Sequence, residues 1–306
     1  MYLLAHVGVH AVGCACVMTP RGWPLLLCAL LAPVCARASS TPAAAPGDAL
    51  LSEMMDLSGT RRMIEQVPAQ VQAGAMADQE RLPAGVRARL AAAIAGAYAA
   101  EALYRAAFDH VKRHARPDEL AAALDVLRTP VALRFTEMEV AAGTPEHQRL
   151  LPGFLSKLQS SPPPAQRIAL LERLDELTGT SALLTEVTVQ TAAAIARGVA
   201  GARAPLTHEQ LLALDDAVAR MRQQVGPATR QQALTTFLFT YRRASDEELA
   251  RYVALYEGGA GQWTARVTGA ATRVALEQAA VELARRLVAS SAPLAPSPPP
   301  SPAAVR

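Results

Sequence analysis

Residues 245–263, SDEELARYVALYEGGAGQW, decide the fold. Four apolar side chains in this stretch recur at the i, i+3, i+4 and i+7 spacing that places them on one face of an α-helix. They are Leu249, Tyr252, Val253 and Tyr256. The pair Gly258-Gly259 then ends this helix before helical periodicity resumes. The stretch therefore predicts two helices joined by a tight turn.

A weaker copy of this stretch occupies residues 116–135, RPDELAAALDVLRTPVALRF. It also opens with acidic residues, and its apolar side chains have the same spacing. They are Leu120, Ala123, Leu124 and Leu127. The break falls here at Thr129-Pro130. Two versions of one helical unit are indicated.

A second pair of matching segments lies upstream of these, at one constant offset. Residues 50–57 stop at Ser58-Gly59-Thr60, and residues 170–177 stop at Thr178-Gly179-Thr180. The matched pairs are Leu50/Leu170, Leu51/Leu171, Met54/Leu174, Leu57/Leu177, Met63/Leu183, Ile64/Leu184, Val67/Val187 and Gln70/Gln190. A constant register through so many apolar positions and a glycine indicates an internal duplication. Glycine can end one helix in the left-handed conformation, and the following threonine can cap the next.

The repeats predict an all-α protein made of two similar multi-helix units. The first unit is residues 48–159 and the second is residues 166–289, with the proline-rich residues 160–165 as the linker. Each unit exceeds 100 residues, which is large enough for its own core. Residues 290–306 are rich in proline and serine and predict a disordered or extended tail.

Local signals refine the helix boundaries. Residues 84–115 predict one long helix, and residues 207–243 predict its partner, with a potential interruption at Gly226-Pro227. Residues 187–191, VTVQT, are rich in the β-branched residues that favour a strand, but their counterpart contains Pro68, which a central strand excludes. Both copies are therefore predicted to be helical, and Pro68 is predicted to kink the first. Helix starts and caps are predicted at Thr207/Gln210, Ser245/Glu248 and Thr144-Pro145.

Residues 1–38 have the features of an export signal. Arg21 precedes the apolar residues 23–34, and residues 36–38 form an Ala-Arg-Ala cleavage pattern. The apolar run is shorter than the roughly 20 residues that a membrane-spanning helix needs. Two interpretations of residues 1–17 are open: translation starts at Met18, or the extra residues form an uncleaved anchor. We expect a periplasmic or secreted bacterial protein, cleaved near Ala38.

The mature chain is predicted to be free of cysteine and nearly neutral. All four cysteines (Cys14, Cys16, Cys28 and Cys35) lie in the export signal, and neither Cys28 nor Cys35 follows the small residue that lipid anchoring requires. The whole chain has a net charge of +3, and loss of Arg21 and Arg37 with the signal leaves +1. Because acids and arginines alternate rather than gather on one face, no nucleic-acid partner is expected.

The motif in residues 245–263 resembles the exported bacterial proteins grouped as domain of unknown function 2059. The matching features are the acidic helix start, the pair Leu255-Tyr256, a two-residue break and then Gly261-Gln262. Gly258-Gly259 stands where that family has Ser-Pro, and Trp263 stands where it has a basic residue. The match covers residues 235–275 well and residues 105–142 weakly. The resemblance implies a helical exported protein and no reaction, because the family lacks an established activity.

Histidines are the first candidates for chemistry. His110 and His114 have the i, i+4 spacing with which two side chains can share a metal ion on one helix face. Val111 stands where the metalloprotease motif needs glutamate, and Lys112 and Arg113 repel a cation. We therefore interpret the pair as solvated residues at a helix end. His147 and His208 lie near helix starts without adjacent ligands, so no metal site or cofactor is predicted.

Neither the carboxylates nor the glycine-rich turn forms a catalytic motif. The acidic clusters are Asp118-Glu119, Asp215-Asp216 and Asp246-Glu247-Glu248. The first and third are predicted to lie in first helical turns, where they stabilise the helix dipole. The glycine-rich residues 258–261 lack the Gly-Lys-Ser/Thr ending of a phosphate loop and are interpreted as a turn. No catalytic residue is predicted.

The aromatic side chains Tyr252, Tyr256 and Trp263 are compatible with a binding patch or with a core stripe. The helical spacing favours the core. Trp263 is the strongest candidate for an exception, because the first copy has Arg134 at that position.

Two hypotheses about function follow. The first is a non-catalytic envelope scaffold or binding protein for a peptide, lipid or protein partner, which fits export, duplication and the missing catalytic set. The alternative is a hydrolase that acts on an envelope polymer with carboxylates from both halves. The alternative requires a cleft that holds two buried acids with opposed pKa shifts.

Overall fold

The computed structural model describes residues 47–77, 84–201 and 206–291, which form thirteen α-helices and no strand. The predicted all-α class is confirmed. The predicted export signal lies outside the described residues, as do residues 292–306 of the predicted tail. Among the helices that are described, none is both long and apolar enough to span a membrane.

The helices follow one another with short connections. They are α1 (Asp48–Leu57), α2 (Thr60–Ala77), α3 (Ala84–Ala97), α4 (Ala100–His114), α5 (Pro117–Leu127), α6 (Pro130–Ala142), α7 (Pro145–Gln148), α8 (Leu151–Ser160), α9 (Ala165–Thr178), α10 (Thr180–Gly201), α11 (His208–Thr240), α12 (Asp246–Glu257) and α13 (Gly259–Ser291).

The two predicted glycine breaks are present and have the same backbone conformation. Gly59 separates α1 from α2 with φ 71°, and Gly179 separates α9 from α10 with φ 65°. These angles fall in the left-handed region that only glycine adopts at little cost. The predicted threonine caps are wrong: Thr60 and Thr180 bond to the preceding hydroxyls of Ser58 and Thr178, each at 2.8 Å. In the second copy the carboxylate of Asp175 instead accepts from the Ser181 amide, at 2.7 Å.

Two further expectations about helix boundaries are wrong. Residues 84–115 form two helices rather than one, because Tyr98 turns into the core and Ala99 is extended. Conversely, α11 runs through Gly226-Pro227 without interruption. The Thr229 hydroxyl lies 3.2 and 2.8 Å from the carbonyl oxygens of Val225 and Gly226, in the helical turn that contains the proline. Residues 67–71 and 187–191 are helical in both copies, as predicted.

The predicted capping boxes are confirmed. Thr207 and Gln210 exchange side-chain and backbone hydrogen bonds at the start of α11, and Ser245 and Glu248 do so at the start of α12. Thr144 precedes the short helix α7 as predicted, but it donates to the carbonyl of Ala141 instead of capping.

Two large buried hydrophobic clusters form most of the core, beside a small one of Leu184 and Ala233, and each large cluster combines residues from both halves of the sequence. The first consists mainly of α1–α5 and includes one face of α13. The members from α13 are Trp263, Val267, Ala271, Ala275, Leu276, Ala279 and Leu283. The second is built from α9, α11 and α12 around Phe135 of α6. The first half thus places Phe135 of α6 in the second cluster, and the second half places one face of α13 in the first.

The two helices that pack in the core of the other half, α6 and α13, each contact the first turn of a helix there. Arg134 on α6 forms an ion pair with Glu248, the third residue of α12. Trp263 on α13 lies against Glu119, the third residue of α5. The hydrogen bond from Arg116 is the main cause of the lowered pKa of the Glu119 carboxyl, and a hydrogen bond from the Trp263 side chain lowers this pKa further. Arg134 and Trp263 occupy matching positions in the two sequence copies. This agreement supports the duplication, which stays a prediction, as do the unit boundaries at residues 160–165.

Candidate functional site

A cavity of about 200 Å³ lies where the two halves meet. Side chains from α2, α6, α9, α10, α11, α12 and α13 line it. Its walls combine apolar carbon with a series of hydroxyl groups. The threonines that line it are Thr60, Thr178, Thr180, Thr236, Thr240, Thr264, Thr268 and Thr272.

Both glycine breaks deliver side chains to this cavity. Ser58 and Thr60 flank the first break, Thr178 and Thr180 flank the second, and all four line the cavity. The repeated segment that first indicated a duplication therefore contributes to the same space from two directions.

Glu139 of α6 is the one acidic residue among the described residues that line the cavity. Its Oε1 accepts two short hydrogen bonds, from the hydroxyl of Tyr241 at 2.6 Å and from that of Tyr252 at 2.7 Å. The hydroxyl of Tyr256 lies 3.1 Å from that of Tyr252. We call these four side chains the Glu139 cluster. One carboxyl from the first half is thus held by phenols from the second half.

Stacked rings position the Glu139 cluster. Phe135 lies one helical turn before Glu139 on α6, and its ring stacks on Tyr252 with centroids 4.2 Å apart. The same ring lies 5.2 Å from that of Tyr241. Arg167 donates to the carbonyl oxygens of Tyr241 and Ala244, at 2.6 and 3.2 Å, and so holds the turn between α11 and α12. The phenols are therefore oriented by packing that does not involve the cavity itself.

The surroundings shift the pKa of every member of the Glu139 cluster upward. Burial raises the pKa of the Glu139 carboxyl, and the two phenol hydrogen bonds oppose this without cancelling it. Part of the side chain remains accessible and faces the cavity. Burial, followed by the nearby Glu139 charge, raises the pKa of Tyr241, Tyr252 and Tyr256. The phenols therefore remain neutral hydrogen-bond donors at physiological pH.

One oxygen of Glu139 is left for an occupant of the cavity. Both phenols donate to Oε1, and no described side chain or amide bonds to Oε2. The described lining contains no lysine, arginine or histidine, so it provides no counter-ion for the carboxylate. The remaining polar groups are hydroxyls and the amides of Gln66 and Gln70. The arrangement can bind a hydrogen-bond donor or a positive charge.

The histidines singled out in the sequence lie elsewhere. The rings of His110 and His114 stack with centroids 4.2 Å apart at the end of α4. Burial, then the charges of His114 and Arg113, lowers the pKa of His110. His147 contacts the Thr144 hydroxyl at 3.2 Å, and His208 is the first residue of α11. Within residues 47–77, 84–201 and 206–291, no three potential metal ligands come together.

The acidic clusters lie in helices and outside the cavity lining. Asp118-Glu119 and residues 246–248 occupy the first turns of α5 and α12, as predicted, where several form ion pairs with arginines. Asp215 lies within α11 and pairs with Arg197 at 2.9 Å. Gly258 alone separates α12 from α13, and residues 259–261 form the first turn of α13. A Cβ atom on Gly261 would lie 2.1 Å from the Leu255 carbonyl oxygen.

The three aromatic residues singled out in the sequence, Tyr252, Tyr256 and Trp263, all pack in or against the core. Trp263 is 8 % exposed and packs in the first core cluster, so the expectation that it is an exposed exception is wrong. It fills the space that α13 creates against α5. Tyr252 belongs to the second core cluster and Tyr256 packs against it, as the helical spacing predicts, and both also line the cavity. Glu139 was not among the candidate residues predicted from the sequence. The one local signal for it is its place on the apolar face of α6, four residues after Phe135.

Comparison with known proteins adds no family: no protein-family model matches the chain, and neither a curated protein nor a solved structure matches it. The resemblance to the exported family therefore stays a prediction. The function must be argued from the cavity and the Glu139 cluster.

Proposed function

We propose that this chain is a non-catalytic binding protein of the bacterial envelope and that its central cavity takes a small ligand. The observation that carries this proposal is the Glu139 cluster, in which one carboxylate oxygen is held by phenols and the other faces the cavity. Ligand sites are typically concave and largely apolar, with a few placed polar groups. The cavity has this composition.

Packing energetics favour a site over a plain scaffold. Protein interiors are close-packed, and voids larger than a water molecule are few. A scaffold would be more stable if apolar side chains filled this space, since a carboxylate that is largely removed from water and lacks a counter-ion is costly. The chain instead keeps a cavity of about 200 Å³ with hydroxyls from both halves. A functional occupant accounts for this arrangement.

The geometry favours binding over hydrolysis of an envelope polymer. The hydrolase alternative needs two acids held across a cleft with opposed pKa shifts. Glu139 is a buried acid with a raised pKa, but the described lining includes no second carboxylate to act with it. The paired acids that the sequence offers lie in helices outside that lining.

Gly269→Leu is expected to abolish ligand binding while the fold is kept. Gly269 lines the cavity on α13, and an added Cβ would meet no atom within 4 Å, so a larger side chain fills the cavity without a backbone clash. Ligand-observed NMR of residues 39–306 with a fragment library, and native mass spectrometry after isolation from the periplasm, measure binding. Glycine to leucine in a helix interior also adds helix propensity, so stability should not fall.

Gly153→Leu is the matched control. Gly153 lies on α8 outside the cavity lining, and it also has open space around its Cβ position. It should leave binding unchanged. If no fragment or copurified compound binds the wild type, or if Gly269→Leu binds as the wild type does, the cavity is filled by water alone and the proposal is wrong. Recovery of the chain outside the envelope fraction would contradict the proposed location.

A further inference from the structure

We infer that the cavity takes a small organic ammonium compound, and that Oε2 of Glu139 holds its cationic nitrogen. This inference rests on the proposed function, because it names the chemical class of the ligand for the same cavity. Three features of the described part of the site carry it: a carboxylate without a counter-ion among the described side chains, aromatic rings beside it, and hydroxyl oxygens left as acceptors.

The carboxylate lacks a counter-ion from every described element packed against it. The end of α11 presents Tyr241 to it, α12 presents Tyr252 and Tyr256, and α13 presents threonines. The charged neighbours on α6 are engaged elsewhere, Arg134 with Glu248 and Glu137 with Arg62. A carboxylate removed from water is costly unless it is paired or protonated, and the raised pKa of Glu139 reflects that cost. A cationic ligand would complete the pair that the described residues leave incomplete.

Aromatic rings around the carboxylate add a second attraction for a cation. Tyr241, Tyr252, Tyr256 and Phe237 all line the cavity. Phe135 stacks on one face of Tyr252. An ammonium group within about 6 Å of a ring face that is not covered in this way is attracted to it, and desolvation strengthens the attraction. An anion would be repelled by Glu139, and a neutral ligand would leave its charge unpaired.

Threonine hydroxyls complete the set of acceptors. The hydroxyl of Thr264 donates to the carbonyl of Ala260, and that of Thr268 donates to the carbonyl of Thr264, each at 2.8 Å. Because each hydroxyl hydrogen is already committed to the helix backbone, its oxygen is left as an acceptor. Acceptors suit the N–H groups of an ammonium compound.

Binding of butylammonium, compared with the neutral butanol and the anionic butyrate, tests the inference. Isothermal titration calorimetry of the wild-type chain at pH 8 should give an affinity for butylammonium at least about tenfold higher than for butanol, with no binding of butyrate. The affinity for butylammonium should rise with pH while Glu139 ionises, because the amine itself stays protonated up to a pH of about 10.

Two variants separate the carboxylate from its surroundings. Glu139→Gln keeps the size of the side chain and an acceptor for the phenols, and it should remove the preference for butylammonium over butanol. Glu137→Gln is the control, because Glu137 lies on the exposed face of α6 and pairs with Arg62 at 2.7 Å. It removes one negative charge from the same helix and should leave the preference unchanged.

The outcomes distinguish this inference from the proposed function. Equal binding of butanol and butylammonium, unchanged selectivity in Glu139→Gln, or an affinity that falls with rising pH would each overturn the ammonium class. So would the failure of all three probes to bind. If another fragment binds the wild type and is lost in Gly269→Leu, the cavity remains a small-molecule site of a different class.

Discussion

Phe135→Ala is expected to lower the free energy of unfolding by about 3–5 kcal/mol. Phe135 is 1 % exposed, and it lies in a core cluster otherwise built from the second half of the sequence. Its ring also stacks on Tyr252 with centroids 4.2 Å apart, so truncation removes a ring–ring contact as well as buried area. The loss should be large because α6 crosses from one half into the core of the other.

Urea unfolding followed by circular dichroism measures this effect, and Leu133→Ala is the matched control. Leu133 lies on the same helix but is 40 % exposed, so its truncation should change the free energy of unfolding by about 0.5 kcal/mol or less. Similar small losses for both variants would show that α6 does not enter the second core cluster.

Glu139→Gln is expected to remove a pH-dependent loss of stability. The pKa of Glu139 is raised above its ordinary value of 4.5 by burial. Below the unfolded-state pKa, both states carry the proton and the wild type has its full stability. As pH rises through the folded-state pKa, this contribution is lost, because the unfolded state releases the proton more readily. Each unit by which the pKa is raised corresponds to about 1.4 kcal/mol.

Unfolding free energies measured from pH 4 to pH 8 check this sign. The free energy of unfolding of Glu139→Gln, relative to that of the wild type, should increase as pH rises. Tyr241→Phe should act in the opposite direction: it removes a phenol donor that stabilises the ionised carboxyl, so it should steepen the loss toward high pH. A difference between Glu139→Gln and the wild type that is independent of pH would mean that the carboxyl is solvated.

Local sequence patterns predicted much of the helical framework. The glycine at each break and the Ser245 and Thr207 capping boxes act within a few residues, so the chain shows them directly. The break between α3 and α4 was missed because alanine-rich sequence favours helix throughout, and only burial of Tyr98 reveals the turn. Trp263 was misjudged because its partner helix α5 lies more than 100 residues away in sequence.

The Glu139 cluster was beyond the reach of local patterns. Tyr241 and Tyr252 lie 102 and 113 residues from Glu139, so nothing near the glutamate identifies its partners. A lone glutamate on an apolar helix face indicates an unusual position, but it does not show whether the side chain meets a cation, a phenol or solvent. Only the crossing of α6 and α13 between the halves brings these groups to one cavity.

The central claim is that the two halves of the chain meet at the carboxyl of Glu139, and a double-mutant cycle tests it most directly. The free energies of unfolding are measured for the wild type, Glu139→Leu, Tyr252→Phe and the double variant. The account predicts a coupling energy of about 1 kcal/mol or more between these two positions. A control cycle that pairs Glu139 with Tyr98 of the first core cluster should give none. A coupling between Glu139 and Tyr252 within about 0.3 kcal/mol of zero would contradict the account.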